Sequence, residues 1–218
     1  MSLLIQFTGT SASGKTTIAN RLKEFLDKEE ISYIFRTPFI SKKTFLHKVF
    51  GGMFLLRFLD RESVRLFFSL GAFRKSSKKF NIFEYLKIKY HIYLLEKTQK
   101  KALLYDGGGF VNLALHAVFK DLLSVEEAVE FVKKTSPSYT LIIAIETPPE
   151  KVIERGERRS GKECMGKEEK LKELYFQQKI RQNYLEKLSE HFRVCFIDGG
   201  KTIEENVELI KKEIFKKI

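Results

Sequence analysis

Near the start of the chain, a short apolar run is followed by two glycines, a lysine and a threonine in a fixed spacing. Residues 3–7 have the length and composition of a buried strand. After them come Gly9, four further residues, and then Gly14, Lys15 and Thr16. Glycines at these two places allow backbone conformations in which successive N–H groups converge on one point. The spacing therefore predicts a strand, an anion-binding turn and a helix in immediate succession.

This spacing is the phosphate-binding motif G-x-x-x-x-G-K-[ST], and the predicted strand before it and helix after it are the context that the motif requires. Lys15 is expected to reach the β- and γ-phosphates of a nucleotide, and the Thr16 hydroxyl to ligate Mg²⁺. A glycine-rich turn that binds no phosphate is the alternative, and the context argues against it. The predicted ATP-binding residues are Gly9, Thr10, Ser11, Ala12, Ser13, Gly14, Lys15, Thr16 and Thr17.

Length and charge limit the remaining interpretations. A chain of 218 residues suits one domain, residues 1–218, and a hydrophobic content of 43% argues against wholesale disorder. The 40 basic residues outnumber the 28 acidic ones, for a net charge of +12. Such a balance favours an anionic partner, which nucleotide phosphates, a nucleic acid or an anionic membrane surface would each satisfy.

The two cysteines and the start of the chain bear on its location. Cys164 and Cys195 fit no metal-ligand spacing, which favours a reducing compartment. A strand that begins at residue 3 leaves no room for a signal peptide. No apolar run approaches the roughly eighteen residues that span a bilayer. We therefore expect a cytoplasmic protein, and a homodimer is left open.

Strand-like and helix-like segments alternate along the chain. The predicted strands are residues 3–7, 32–37, 102–106, 139–146 and 193–198. Residues 82–101 are predicted as an amphipathic helix with Tyr93 on its apolar stripe, and Ser124 begins a capping box. This alternation predicts an α/β domain with a mostly parallel sheet and helices on both faces. Ligands then bind at the carboxyl ends of the strands, where Gly9, Arg36 and Asp106 lie.

Asp106 and Arg36 are candidates for chemistry at that edge. Asp106 could hold the Mg²⁺ shell or accept a proton from an attacking hydroxyl, and an exposed aspartate that opens a turn would look similar. Arg36 suits a bidentate grip on an acceptor phosphate, with a surface arginine as the open alternative. Phe39, which could stack on a base, and Arg74 complete the predicted acceptor-binding set; a core phenylalanine and a solvated arginine are their alternatives.

A charged, glycine-punctuated segment, residues 155–170, carries further arginines. Arg155 and Arg159 are four residues apart, so they share a face if the segment is helical. Arginines delivered by a closing segment can stabilise the negative charge that spreads over the transferred phosphoryl group. A solvated charged loop is the alternative, and composition alone does not separate the two.

Taken in order, these stretches resemble the thymidylate kinase family of P-loop nucleoside monophosphate kinases. The matching stretches are FTGTSASGKTT, Arg36-Thr37-Pro38, Tyr105-Asp106-Gly107, residues 148–159 and residues 196–205. The resemblance implies a P-loop NTPase fold of three α/β/α layers, with five parallel strands in the order 2-3-1-4-5. It also implies a lid at about residues 155–170, an acceptor-binding helical region at about residues 39–80, and contact between Arg36 and the acceptor phosphate.

The chain departs from the family at two places. Gly107 stands where the family has an arginine, and Phe39 and Ile40 stand where it has two glycines. No residue between 42 and 79 matches those that read thymine in the family. An acceptor other than thymidylate is therefore expected.

The sequence thus predicts an ATP- and Mg²⁺-dependent phosphotransferase that acts on a nucleoside monophosphate or a related small acceptor. Its expected catalytic residues are Lys15, Asp106, Arg155 and Arg159, with Thr16 and Asp106 at the metal. Two alternatives stay open. One is an NTP-binding switch or adaptor that docks on nucleic acid or membrane through its basic, aromatic-rich face. The other is a kinase of an unphosphorylated alcohol such as a nucleoside, sugar or lipid.

Overall fold

The computed structural model describes residues 2–36 and 82–216, in which strands and helices alternate. The strands are β1 (Leu3–Gly9), β2 (Tyr33–Arg36), β3 (Ala102–Tyr105), β4 (Thr140–Glu146) and β5 (Arg193–Asp198). The described helices, numbered here in chain order, are α1 (Lys15–Lys28), α2 (Ile82–Lys97), α3 (Gly109–Phe119), α4 (Val125–Thr135), α5 (Pro149–Ser160), α6 (Lys167–Ser189) and α7 (Ile203–Phe215).

The strands form one parallel sheet in the order β2-β3-β1-β4-β5, which confirms the predicted α/β class and strand order. β1 lies in the centre, with Leu4 paired to Leu103 of β3 and Gly9 paired to Ile145 of β4. Because the strands are parallel, the loops that follow β1, β3, β4 and β5 all leave from the same edge of the sheet.

Alternate residues of the strands pack into two hydrophobic clusters. In β1, Leu3, Ile5 and Phe7 join a cluster with α1 and α7, whereas Leu4 joins a larger one with α2, α3, α4 and α6. β4 is buried along residues 140–145, as expected from a continuous apolar run covered on both faces. Helices therefore pack against both faces of the sheet.

Several local predictions hold at the residue level. The α1 residues predicted to face the core are buried; they are Ile18, Leu22, Phe25 and Leu26. The capping box at Ser124 is present, with its hydroxyl accepting from Glu127 N and the Glu127 carboxylate accepting from Ser124 N.

Other predictions need correction. The helix expected over residues 82–101 ends at Lys97, and Tyr93, predicted on its apolar stripe, is 43% exposed. The helix α3 was not predicted. The segment 155–170 was not assigned between helix and loop from sequence. Much of it is helical, because α5 continues to Ser160 and α6 begins at Lys167, and Arg155 and Arg159 lie on α5 as the helical alternative requires.

Part of the prediction lies outside the described residues. Phe39, Arg74 and the acceptor-binding region at about residues 39–80 belong to that part. Arg36 is the last residue of β2, so its backbone lies at the edge of the sheet where Gly9 and Asp106 also lie.

Candidate functional site

The loop between β1 and α1 folds around glycines in conformations that other residues rarely adopt. Gly9, Ala12 and Gly14 have φ angles of 155°, 61° and 98°. A Cβ added to Gly9 would lie 2.7 Å from Ser13 Oγ and 2.8 Å from Ile145 O, so only glycine fits there without a shift. The backbone of the loop is therefore tightly packed against the end of β4.

The N-terminus of α1 points into this loop without a cap. Gly14, at the N-cap position, offers no side-chain hydrogen bond, and the first turn holds no acidic residue. The first amides of a helix lack intrahelical partners and carry the positive end of the helix dipole. An anion is the complement that such an end favours.

Lys15 folds back over the loop that precedes it. Its Nζ donates to Gly9 O at 3.0 Å and to Thr10 O at 2.5 Å. Burial and the positive charge of Arg181 lower the pKa of Lys15 to about 8, while Asp106 acts in the opposite direction. The ammonium group therefore lies in a partly desolvated place where a negative ligand would be favourable.

Asp106, at the carboxyl end of β3, is 5% exposed and hydrogen-bonds to Thr16. Burial raises the pKa of Asp106, and this effect is opposed by the Thr16 hydrogen bond and the charge of Lys15. The structure thus brings Lys15, Thr16 and Asp106 together. Gly107 follows with φ +73°, and a Cβ there would lie 3.2 Å from Lys15 Cε. A side chain at this position would be strained and would crowd the lysine.

Hydrogen bonds connect the helix α3 to the end of β1 and to the loop that follows β3. Asn112 Nδ2 donates to Phe7 O at 2.6 Å and to Gly108 O at 2.9 Å. Gln6 Oε1 accepts from Val111 N at 3.2 Å. These bonds hold the strand ends that carry the loop after β1 and the buried aspartate.

The two arginines predicted from the charged segment lie on α5. Arg155 Nη2 donates to Gly199 O at 2.8 Å, and its Nη1 contacts Ser13 O at 3.5 Å, so it ties the loop after β5 to the loop after β1. Arg159, one turn later, is exposed and lines the same cavity. Arg158 instead pairs with Glu154 at 2.7 Å on the outer face.

The loop after β1, Lys15, Asp106 and the two predicted arginines line one cavity of about 970 Å³. Of the predicted ATP-binding residues, all but Thr10 line it, as do the four predicted catalytic residues. Residues that sequence reasoning did not assign to the site also line it; they are Ile18, Gly107, Asn112, His116, Gly199, Lys201, Ile203 and Asn206. Gly199 and Lys201 follow the carboxyl end of β5, so the strand-end rule could have found them.

The residues missed on helices had no comparable signal. His116 lies within α3, and burial together with the charges of Lys120, Arg181 and Lys15 lowers its pKa. Arg181 lies in the middle of α6 and is 8% exposed. Neither residue belongs to a motif, and only the packing of α3 and α6 places them beside the loop.

Within the described part of the chain, no three histidine, cysteine, aspartate or glutamate side chains gather into a group that could hold a metal ion. No helix found there is both long and apolar enough to cross a membrane. The chain matches none of the protein-family models and none of the curated proteins with which it was compared.

Proposed function

We propose that this protein is a P-loop kinase that transfers the γ-phosphoryl group of ATP to a small acceptor. The observation that carries the proposal is the convergence of Lys15, Thr16 and Asp106 on one cavity of about 970 Å³, beside a glycine-bearing loop and an uncapped helix N-terminus. This combination is suited to a polyphosphate, because backbone amides, a helix dipole and an ammonium group act on the same place.

The residues have distinct proposed roles. The amides of the loop and the Lys15 ammonium group would hold the β- and γ-phosphates of the donor. Arg159, exposed at the cavity wall without a hydrogen bond or ion pair among the described residues, can move toward the phosphates. Arg155 already bonds two backbone carbonyls, so its first role would be to hold the loops after β1 and β5 together. Charge that develops on the transferred group would be stabilised by these cations.

Thr16 and Asp106 fit the requirements of a Mg²⁺ site. Their hydroxyl and carboxylate oxygens are hard ligands, they are already hydrogen-bonded to each other, and both line the cavity. Bound Mg²⁺ would offset the negative charge of the phosphates. Asp106 is also the described carboxylate placed to accept a proton from an acceptor hydroxyl, and its raised pKa favours that role.

The acceptor is proposed to be a nucleoside monophosphate or a related small phosphorylated compound. The sequence resemblance to thymidylate kinases and the position of Arg36 at the same sheet edge support this choice. The crowding at Gly107 is consistent with an acceptor site that differs from that family, since the family arginine would be strained there.

An acceptor screen tests the proposal directly. Nucleoside monophosphates, nucleosides and other alcohols are added separately to the protein with ATP and Mg²⁺, and ADP release is measured. We expect release that depends on one class of acceptor, near-complete loss in Lys15→Ala, and a larger loss of turnover than of ATP affinity in Arg159→Ala. Arg158→Ala, on the outer face of the same helix, is the matched control. An unchanged rate in Lys15→Ala would defeat the proposal.

Two further measurements, combined with this screen, separate the alternatives. ATP binding without acceptor-dependent ADP release, together with salt-sensitive retention on DNA or anionic vesicles, would favour a nucleotide-binding switch. Transfer to an alcohol with an acceptor affinity that Arg36→Ala leaves unchanged would favour a kinase of an unphosphorylated acceptor.

A further inference from the structure

Arg181 is a buried cation with no counter-charge in contact among the described residues. It is 8% exposed, makes no ion pair within residues 2–36 and 82–216, and its Nε has no hydrogen-bond partner there. Burial lowers the pKa of Arg181 to about 10, and only the more distant Glu146 opposes this. An unpaired buried charge is costly, so an anion that reaches this guanidinium would be bound favourably.

The guanidinium lines a second cavity of about 620 Å³ between α3, α5 and α6. This cavity adjoins the one described above, because Gly9, Ser11, Ala12, His116 and Arg159 line both. A ligand in it would therefore lie beside the loop after β1, between α3, α5 and α6.

The cavity has an apolar part and a charged part, which together suit a ligand with a charged end and an apolar body. Phe119, Val152, Ile153 and Leu174 form an apolar part, and the Arg181 guanidinium lies 5.8 Å from the Phe119 ring centre.

Among the described residues, the charged part of the wall holds five lysine and arginine side chains and two glutamates. One of these, Glu157, already accepts a hydrogen bond from Cys164 N. The excess of positive charge favours a dianion over a monoanion.

We propose that this second cavity binds a phosphate monoester, with Arg181 holding the phosphate and the apolar wall contacting the organic part. Arginine suits this role, since its planar fork can bind two phosphate oxygens at once. This site is separate from the acceptor contact at Arg36 in the proposed function, and it does not depend on that function.

Phenyl phosphate is a suitable probe, because it joins a phosphate dianion to an apolar ring. Its dissociation constant is measured by titration calorimetry at constant ionic strength, with inorganic phosphate as the probe that lacks the ring. Arg181→Met should weaken phenyl phosphate binding by about tenfold to a hundredfold, in the wild-type background and equally in a Lys15→Ala background. Phenyl phosphate should bind more tightly than inorganic phosphate, and ATP affinity should change little.

Two control measurements distinguish a specific loss of phenyl phosphate binding from a folding defect. Arg158→Met removes an exposed, paired arginine from α5 and should leave phenyl phosphate binding unchanged. The urea midpoint of Arg181→Met should rise, because an unpaired buried charge is replaced by an apolar side chain of similar length. A lower midpoint with unchanged phenyl phosphate affinity would mean a structural role and would overturn the proposal.

The outcomes also separate this proposal from the proposed function. If ATP does not bind but Arg181→Met still weakens phenyl phosphate binding, the proposed kinase function is refuted and the proposed second site is supported. Intact ATP binding with no effect of Arg181→Met would refute the second site alone.

Discussion

The titration of Lys15 offers a test that needs no ligand. Burial and the charge of Arg181 lower the pKa of Lys15 from 10.5 to about 8. Unfolding removes both causes, so the lysine then titrates near its ordinary value. Between these two pKa values, the unfolded chain holds a proton that the folded protein has released.

The sign of the effect follows from proton linkage. Stability rises with pH wherever the unfolded state binds more protons, so the free energy of unfolding should increase as the pH rises above 8. Below pH 8 the lysine is charged in the folded protein as well, so its buried charge lowers the free energy of unfolding by the full amount. One proton corresponds to about 1.4 kcal/mol per pH unit, which gives about 3 kcal/mol in total and about 2.5 kcal/mol between about pH 7 and 10.

Urea unfolding of the wild type and of Lys15→Met, from about pH 7 to about pH 10, measures this contribution. The difference in unfolding free energy, wild type minus variant, should rise by about 2.5 kcal/mol across that range. Lys28→Met, at the exposed end of the same helix, controls for the loss of one charge. A difference that does not change with pH, or that falls, would refute the conclusion that the charged lysine destabilises the fold.

Further substitutions test the remaining contacts. Gly9→Ala should lower the unfolding free energy by about 2 kcal/mol or more, because the new Cβ would lie 2.7 Å from a side-chain oxygen. At Gly156, a helical position, nothing lies near an added Cβ. Gly156→Ala should therefore raise the unfolding free energy by about 1 kcal/mol in the same urea assay. Arg155→Met should lose about 1 kcal/mol for each carbonyl contact and weaken ATP binding by calorimetry, whereas the exposed Arg158→Met should lose less. Asp106→Asn should slow Mg²⁺-dependent transfer by about a hundredfold in a turnover assay, yet strengthen ATP binding without Mg²⁺, because a charge that repels phosphate is gone.

Strands and the loop after β1 could be predicted because their signals are local. β5 begins and ends where the apolar run predicts, at Arg193 and Asp198. Glycines in the loop indicate positions where the backbone adopts conformations that other residues rarely adopt. Gly14, with a φ of +98°, is such a position. Such features depend on a few neighbouring residues, so one sequence is enough to find them.

The helix α3 could not be found in the same way. Eight of its eleven residues are buried, so apolar residues occupy all sides and no helical period appears. The three glycines at its start, Gly107 to Gly109, indicated only the end of a strand. In the structure, Gly109 has φ +87° and a Cβ there would meet Gln6 Oε1 at 2.1 Å, so glycine allows the close contact between α3 and β1.

The charged segment was ambiguous for a different reason. Gly156 weakens any helix prediction, yet α5 passes through it, because its first turn is anchored by the buried Val152 and Ile153. Gly161, with φ +66°, is where the helix ends. Tertiary contacts thus decided which glycine ends the helix, and composition could not.

In the protein alone, the charged groups around the loop after β1 are destabilised by burial, and two of the cations also by neighbouring cations. Burial lowers the pKa of Arg181, burial and Arg181 lower that of Lys15, and burial with neighbouring cations lowers that of His116. Burial also raises the pKa of Asp106. A phosphate dianion beside these groups would favour the charged forms of the three cations and the protonated form of the aspartate. The lowered pKa values of the three cations would therefore be relieved by the ligand, whereas the raised pKa of Asp106 would rise further. Three buried cations that destabilise the protein alone but favour an anion are expected where binding, and not folding, has selected the residues.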